Sequence, residues 1–453
     1  MSQHIFLKER AMDKLTQYLN ENPHNELHPS EIANLLKDLN EKSFNEAVQS
    51  IPKELIADVA LELPDRYFED VVESFTTKEI ADSVAELESD DQTDFMQELE
   101  EVDQGRAKAV FNQLDEDDQA DILKLKQYDE DEAGAYMQVE VYTANLHHTV
   151  HDVIREFAQL RRNDELENVN YLFVTDEEKN LHYGIGLDHL LVFNFDKTLE
   201  ENLEENPEKY KPIVGYDHDD ISDIVQKFQE YDLASMPIID ENGRLLGRIT
   251  SDDIYDIINE QATDQMYHLA GVNDDAEEDE DIFKAGKARA VWLGVNLITA
   301  IIASLVIGLF EETLQTVVAL AILMPIVASM GGNAGTQSLT VVVRQLALGD
   351  IAKHDAFRTI KKEVILSLAN GFIFAIIMGI IASLWFDKGM LGIVIALSMI
   401  INLLSAGLFG AMVPLVLKKM EVDPAIGSTV VLTTVTDVVG FFSFLGLATL
   451  ILL

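Results

Sequence analysis

Apolar and polar positions divide this chain into two unlike halves. In the second half, long uncharged apolar runs dominate, at residues 290–310, 314–330, 364–386, 391–417 and 429–453. A helix needs about 20 such residues to cross roughly 30 Å of hydrocarbon. Five membrane-spanning helices are therefore expected, and five in succession are a poor match to buried helices of a soluble core. The second run is expected to continue into the glycine-rich stretch Met330-Gly-Gly-Asn-Ala-Gly-Thr-Gln-Ser338.

The first half follows shorter periods. Ile32, Ile56 and Ile80 recur at intervals of 24 residues, as do Phe44 and Phe68, with Pro52 and Pro64 between them. Each unit reads as two short helices, and stacked pairs make a small superhelix. A single helical bundle fits the same spacing. Strand patterns follow at 170–175 and at 236–250, the latter a strand, an Asp-Glu-Asn-Gly turn and a strand. Helical stretches at 151–160 and 221–230 precede them, so two copies of a β–α–β–β–α unit fit residues 133–258. A further helical stretch over 252–269 leads towards the first apolar run.

Composition sharpens this division. The chain has 453 residues, a formal net charge of −47 and no cysteine. Disulfides and thiolate metal sites are excluded, and so is nucleic-acid binding through a basic surface. Residues 286–453 hold ten Lys and Arg against nine Asp and Glu, whereas residues 1–285 hold 23 against 71. An intensely acidic, water-soluble head thus precedes a nearly uncharged membrane domain.

Loop charges predict the orientation. Lys284, Lys287 and Arg289 precede the first span, Arg344, Lys353, Arg358, Lys361 and Lys362 lie between the second and third, and Lys418 and Lys419 follow the fourth. The other loops carry Glu311, Glu312, Asp387 and the single base Lys388. Bases collect on the cytoplasmic side, so the head is expected in the cytoplasm and the C-terminus outside a plasma-membrane protein. The opening MSQHIFLKER has no apolar run, and no signal peptide is expected.

The expected fold class is a multidomain membrane protein: an all-α superhelical N domain, an α/β pair and an α-helical bundle of five spans. Its boundaries are placed at 1–130, 131–258 (copies at 131–198 and 199–258), 259–285 for a connecting helix and acidic linker, and 286–453.

Two features of the membrane half are costly. Asp437 sits in VVLTTVTDVVGFFSF, and an intramembrane carboxylate costs about 3 kcal/mol or more unless it faces a polar cavity or pairs. Thr429, Thr433 and Asp437 recur every four residues and share one helix face, a suitable lining for a hydrated cation path. Gly331, Gly332 and Asn333 point either to backbone turned towards a polar pore or to close helix contact. The acidic run at 274–281 reads equally as a solvated linker or as a cation collector beside a pore mouth. The sequence has no nucleophile elbow, P-loop or metal-hydrolase spacing, and no enzymatic activity is expected.

The second α/β copy, MPIIDENGRLLGRITSDD, carries the Asp-x-x-Gly-x-x-x-Gly-x-x-Thr-x-x-Asp pattern of cystathionine-β-synthase-type (CBS) domains and resembles them closely. With the acidic repeat before it, GGNAGTQS in the second span and DPA with TTVTD around the fifth, nearly the whole chain resembles the MgtE-type magnesium channel family. The resemblance implies a homodimer in the lipid bilayer with its pore on the two-fold axis. Asp437 would bind hydrated Mg²⁺ in the filter, and cytosolic Mg²⁺ would close the pore through the connecting ("plug") helix. Regulatory ligands implied in the same way are Asp58, Asp90 and Asp94 of the repeat domain, and Asp220, Asp232, Asp253 and Asp256 of the CBS pair. Asp264 on the connecting helix and Asp423 at the pore mouth complete the set. Ser222, Gln261 and Gln265 stand where that family suggests acids. ATP, bound by the CBS pair of some members, is disfavoured because His189 occupies the ribose-contacting Asp position and Asp188 precedes it. The alternatives are a broader divalent-cation transporter that also moves Co²⁺, and a membrane-anchored CBS sensor without transport. No His, Cys or Met cluster in the spans invites soft metals, and a mere anchor has no use for Asp437.

Overall fold

Pro52 and Pro64 punctuate the helical repeat, the first before a short 3₁₀ turn (Lys53–Leu55) and the second before the helix Asp65–Ser74. The computed structural model describes residues 12, 14–20, 27–163, 166, 169–272, 282–348, 351, 356–420 and 422–453. The acidic run at 274–281 and Lys353 lie outside them. The chain forms two compact units, Met1–Ile258 and Asn259–Leu453.

The first unit opens with helices α1 (Pro29–Lys37), α2 (Glu41–Val48), α3 (Ile56–Leu61), α4 (Asp65–Ser74), α5 (Thr77–Val84), α6 (Ser89–Val102), α7 (Gln104–Phe111) and α8 (Glu116–Leu125). Ile32, Ile56 and Ile80 are fully buried at equivalent places, as are Phe44 and Phe68. Each such burial stabilises by roughly 1.5–3 kcal/mol. Ring pairs tie successive units together: Phe44 stacks on Tyr67 at 4.6 Å and Phe68 meets Phe95 at 5.0 Å. The principal contacts run between near neighbours, α1 with α2 and α3, α3 with α4 and α5, α5 with α7, and α6 with α7 and α8. That is the contact pattern of a stacked array.

Two small sheets follow. β1 (Thr143–Asn145) pairs parallel with β2 (Tyr171–Thr175), and β2 pairs antiparallel with β3 (Leu181–Gly186). α9 (Val150–Arg162) crosses between β1 and β2. The second copy repeats this order with β4 (Gly215–Tyr216), α10 (Ile221–Tyr231), β5 (Ser235–Ile239) and β6 (Leu245–Thr250). The turn between β5 and β6 is built by Asp240, whose Oδ1 accepts the N–H groups of Asn242 and Arg244, both at 2.8 Å, and by Gly243 at φ +86°. Bonds from Leu181 N to Gly243 O and from Leu245 N to Lys179 O, each 3.0 Å, join the two copies. The two strand–helix–strand–strand copies define the α/β pair.

After β6 the chain enters α11 (Ser251–Ala270), which begins in the first unit and ends in the second. Among the described residues, the second unit holds five helices long and apolar enough to span a membrane: α12 (Ile282–Gly308), α14 (Ala319–Ala347), α15 (Ala356–Phe386), α16 (Gly389–Lys419) and α17 (Ser428–Leu452), with the short α13 (Glu311–Thr316) before α14. The second span therefore starts at Ala319, later than the apolar run beginning at 314, and continues through the glycine-rich stretch to Ala347. α16 is central: it packs on α14, α15 and α17. α12 packs chiefly on α17. Trp292 of α12 lies near Gly427, and Phe310, just beyond α12, meets Phe442 at 5.7 Å, so α12 and α17 run parallel.

Candidate functional site

In the first unit, two helices begin with the same tripeptide. Ser89-Asp90-Asp91 opens α6 and Ser251-Asp252-Asp253 opens α11. Acids suit a helix N-terminus, where the unpaired N–H groups carry partial positive charge. Here their charges also act on each other. Asp90 is buried, and its Oδ1 has no hydrogen-bond partner. Burial raises its pKa well above the carboxylate range, with repulsion from Asp91, Asp253 and Glu88 added. Asp91 keeps solvent access on one side, yet the protein mass around it and the charges of Asp253, Asp94 and Asp58 push it up to about 7. Asp253 is raised by burial, although Thr250 donates to it through N–H (3.2 Å) and Oγ1 (2.7 Å). Asp256 is raised by desolvation and by Glu62 and Asp252.

Glu88 belongs to the same region. Burial lifts it to about 7 against the opposing charge of Arg248, whose Nη2 lies 3.6 Å away. Arg248 is 2% exposed and its Nε donates to Gln138 Oε1 at 3.1 Å. Carboxylates forced together with so few bases favour protons or a cation between them. Among the described residues, no group of three or more His, Asp or Glu stands in a metal-holding arrangement. The acids are clustered without forming a closed ligand set.

The remaining head residues are placed differently. Asp220 caps the N-terminus of α10, accepting Ser222 N–H at 2.8 Å, and Asp232 caps its C-terminus at φ 51°. The two caps are twelve positions apart, about 18 Å at 1.5 Å per residue, so they do not share one ion. Asp188 is exposed, and His189 stands edge-on to Tyr210 at 5.5 Å. Asp91, Asp252, Glu88 and Glu62 were not singled out in the sequence; the repeated Ser-Asp-Asp tripeptide was the signal for the first two.

In the second unit, Asp264 is half-buried on α11, one turn before His268. His268 Nδ1 lies 2.9 Å from Asp423 Oδ2, and Asp423 Oδ1 accepts Ala425 N–H at 2.8 Å. Thr429 Oγ1 donates to Leu269 O at 2.9 Å. Asp437 is half-buried on α17. One turn earlier, Thr433 Oγ1 donates to Thr429 O and Val430 O at 2.9 and 3.1 Å, Thr434 Oγ1 to Val430 O at 2.6 Å, and Thr436 Oγ1 to Thr433 O at 3.0 Å. Their protons are directed into the helix. Gly331 is closed against Asn402 of α16, the helix-contact alternative, while Gly332 has open space around it and Asn333 is exposed. Asn402 itself carried no sequence signal beyond being polar within an apolar run.

An acidic two-domain head and a five-helix bundle with a carboxylate on its last span define a polytopic membrane protein equipped to handle cations. Family models agree region by region: a divalent cation transporter model matches residues 324–447, an MgtE intracellular N domain model residues 27–131, and a CBS domain model residues 209–260. The magnesium transporter MgtE of Thermus thermophilus is 31% identical over 94% of this chain and 94% of its own length. That of Bacillus subtilis is 29% identical over 80% of this chain and 86% of its own. A crystal structure of the cytosolic domain of the Mg²⁺ channel MgtE in complex with ATP is 26% identical, with TM-score 0.48, over 54% of this chain and 99% of that one. The chain belongs to the MgtE family of magnesium transporters.

Proposed function

We propose that this protein carries Mg²⁺ across the plasma membrane as a homodimer, with its head in the cytoplasm. In this reading the path follows the Asp437 face of α17, and cytosolic Mg²⁺ bound among the head acids closes it. The observation that carries the reading is that face. Mg²⁺ sheds its water reluctantly, so a path for it should recognise the hydrated ion. Water bound to a cation turns its hydrogens outward, and the wall must then accept hydrogen bonds. The Thr433 and Thr434 hydroxyls donate to their own helix, which leaves their lone pairs for that task, and Asp437 adds a carboxylate. Two such carboxylates across a dimer axis attract each unit of cation charge by roughly 3 kcal/mol apiece at 5 Å and dielectric 20. A divalent ion gains twice what a monovalent ion gains.

The head supplies the gate. At neutral pH burial and mutual repulsion keep the acids at the starts of α6 and α11 partly protonated, so they crowd together without a full set of charges. A divalent cation between them converts repulsion into attraction and favours the compact state. Low Mg²⁺ releases it, an equilibrium shift set by differential affinity. No nucleotide is assigned to the CBS pair.

The deciding experiment is Mg²⁺ flux into proteoliposomes for wild type and Asp437→Asn. The amide keeps the shape of the carboxylate and removes its charge. Flux should fall by about 100-fold or more, as expected when a charged contact at the transported ion is lost, with the thermal midpoint unchanged. Wild-type flux in the variant would remove Asp437 from the path.

A further inference from the structure

Asn402 of α16 is fully buried inside the five-helix bundle. Its Nδ2 donates to the Val327 carbonyl of α14 at 2.8 Å. The same amide rests against two glycines on two different helices. A Cβ built on Gly440 of α17 would lie 2.7 Å from Nδ2, and one built on Gly331 of α14 would run into it. Asn402 Oδ1, also buried, has no hydrogen-bond partner. One side chain therefore fills the point where α14, α16 and α17 meet, and it does so with an amide whose oxygen gains nothing there. A leucine, with the same number of side-chain heavy atoms, would occupy the point without an orphan acceptor. A buried polar group held at such a cost fixes register in some helical assemblies.

The register at stake is functional. Gly331 directly precedes Gly332 and Asn333, and Gly440 follows Asp437 by three residues, less than one helical turn. We infer that Asn402 is a positioning residue for transport. By locking α14 to α17 it sets the separation between the Gly-Gly-Asn segment and the Asp437 face, and with it the discrimination between Mg²⁺ and monovalent cations. This rests on the reading of Asp437 given above. The two glycines leave room for the amide and its donor fixes the height along α14, so both contact and hydrogen bond hold one distance. Misplacement of about 1 Å costs on the order of 100-fold where geometry decides the outcome.

The test uses the full chain in proteoliposomes, with Mg²⁺ and Na⁺ fluxes measured side by side. Asn402→Ala and Asn402→Leu should each lower the Mg²⁺-to-Na⁺ flux ratio by about tenfold. Gly440→Ala should do the same, because its methyl meets the amide. The double variant Asn402→Ala/Gly440→Ala should return to within about threefold of wild type, since the methyl then occupies vacated space. A role confined to stability would lower the thermal midpoint and the amount of folded protein while leaving the ratio in the surviving protein untouched. An unchanged ratio in folded Asn402→Leu, or a Gly440→Ala loss that Asn402→Ala does not relieve, overturns the inference. If Asn402→Ala does not fold, Asn402→Leu and Gly440→Ala decide it. Asp437→Asn is run alongside. Normal flux in that variant overturns the Asp437 reading and this inference together, whereas its loss beside an unchanged ratio in the Asn402 variants overturns this inference alone.

Discussion

His268 Nδ1 lies 2.9 Å from Asp423 Oδ2, so the last turn of α11 is held to the loop between α16 and α17. The contact is reinforced one residue further on, where Leu269 O accepts the Thr429 hydroxyl at the foot of α17. A connecting helix that transmits head closure has to carry or break these two bonds. His268→Ala is expected to raise the Mg²⁺ concentration for half-inhibition of flux by about three- to tenfold, a coupling of ordinary allosteric size. Flux into proteoliposomes at graded Mg²⁺ on the head side reads this directly. An unshifted inhibition curve would show that this contact does not transmit.

Protons and Mg²⁺ should compete for the head. Asp91 and Glu88 are raised to about 7, and Asp90, Asp253 and Asp256 are raised as well. A carboxyl with a folded pKa above its unfolded value binds more protons in the folded state across that interval. The stability these groups contribute is then fully present below the unfolded value, near pH 4, and falls as pH rises through about 7. In buffer with EDTA, the thermal midpoint of the full chain should drop across this window. Millimolar Mg²⁺ should remove most of the drop. A flat profile without metal would contradict the crowding of these acids.

Asp90→Asn separates charge from shape at the most enclosed of these acids. Replacing an acid that must stay protonated or repel Asp91, Asp253 and Glu88 should leave the metal-free protein at least as stable, by about 0–2 kcal/mol, with the gain growing as pH rises. The same substitution should shrink the stabilisation that Mg²⁺ provides. Denaturant midpoints with and without Mg²⁺ give both quantities. Loss of stability in EDTA would mean that the Asp90 carboxylate is satisfied in the folded head.

The helical repeat can be tested at Ile56, fully buried in the middle unit. Ile56→Ala should cost about 2–5 kcal/mol. The equivalent change at Glu54, exposed in the turn before it, should cost under about 0.5 kcal/mol. Equal effects at the two positions would deny that the 24-residue period marks the core.

Much of the fold was legible because it is written in periodicity. The 24-residue spacing of Ile32, Ile56 and Ile80 placed three core positions, and uncharged runs of sufficient length placed five spanning helices. The Asp240–Gly243 turn was legible because Asp and Gly at those places are the residues best suited to close a hairpin. What escaped was convergence between distant segments. Asp91 and Glu88 become unusual only when α6 and α11 bring their N-terminal acids together, and no local pattern announces that. Conversely, Asp220 and Asp232 look alike in sequence but cap opposite ends of α10. Asn402 is one polar letter in an apolar run, and only packing shows two glycines making way for it.

The order of synthesis gives the α12–α17 pairing a cost. Of these five spans α12 leaves the ribosome earliest, yet its chief protein neighbour is α17, the latest of them. Until some 120 further residues have been inserted, α12 has lipid for company along the face it will later bury. A stalled or shortened chain lacking α17 would leave α12 without its chief partner in the bundle.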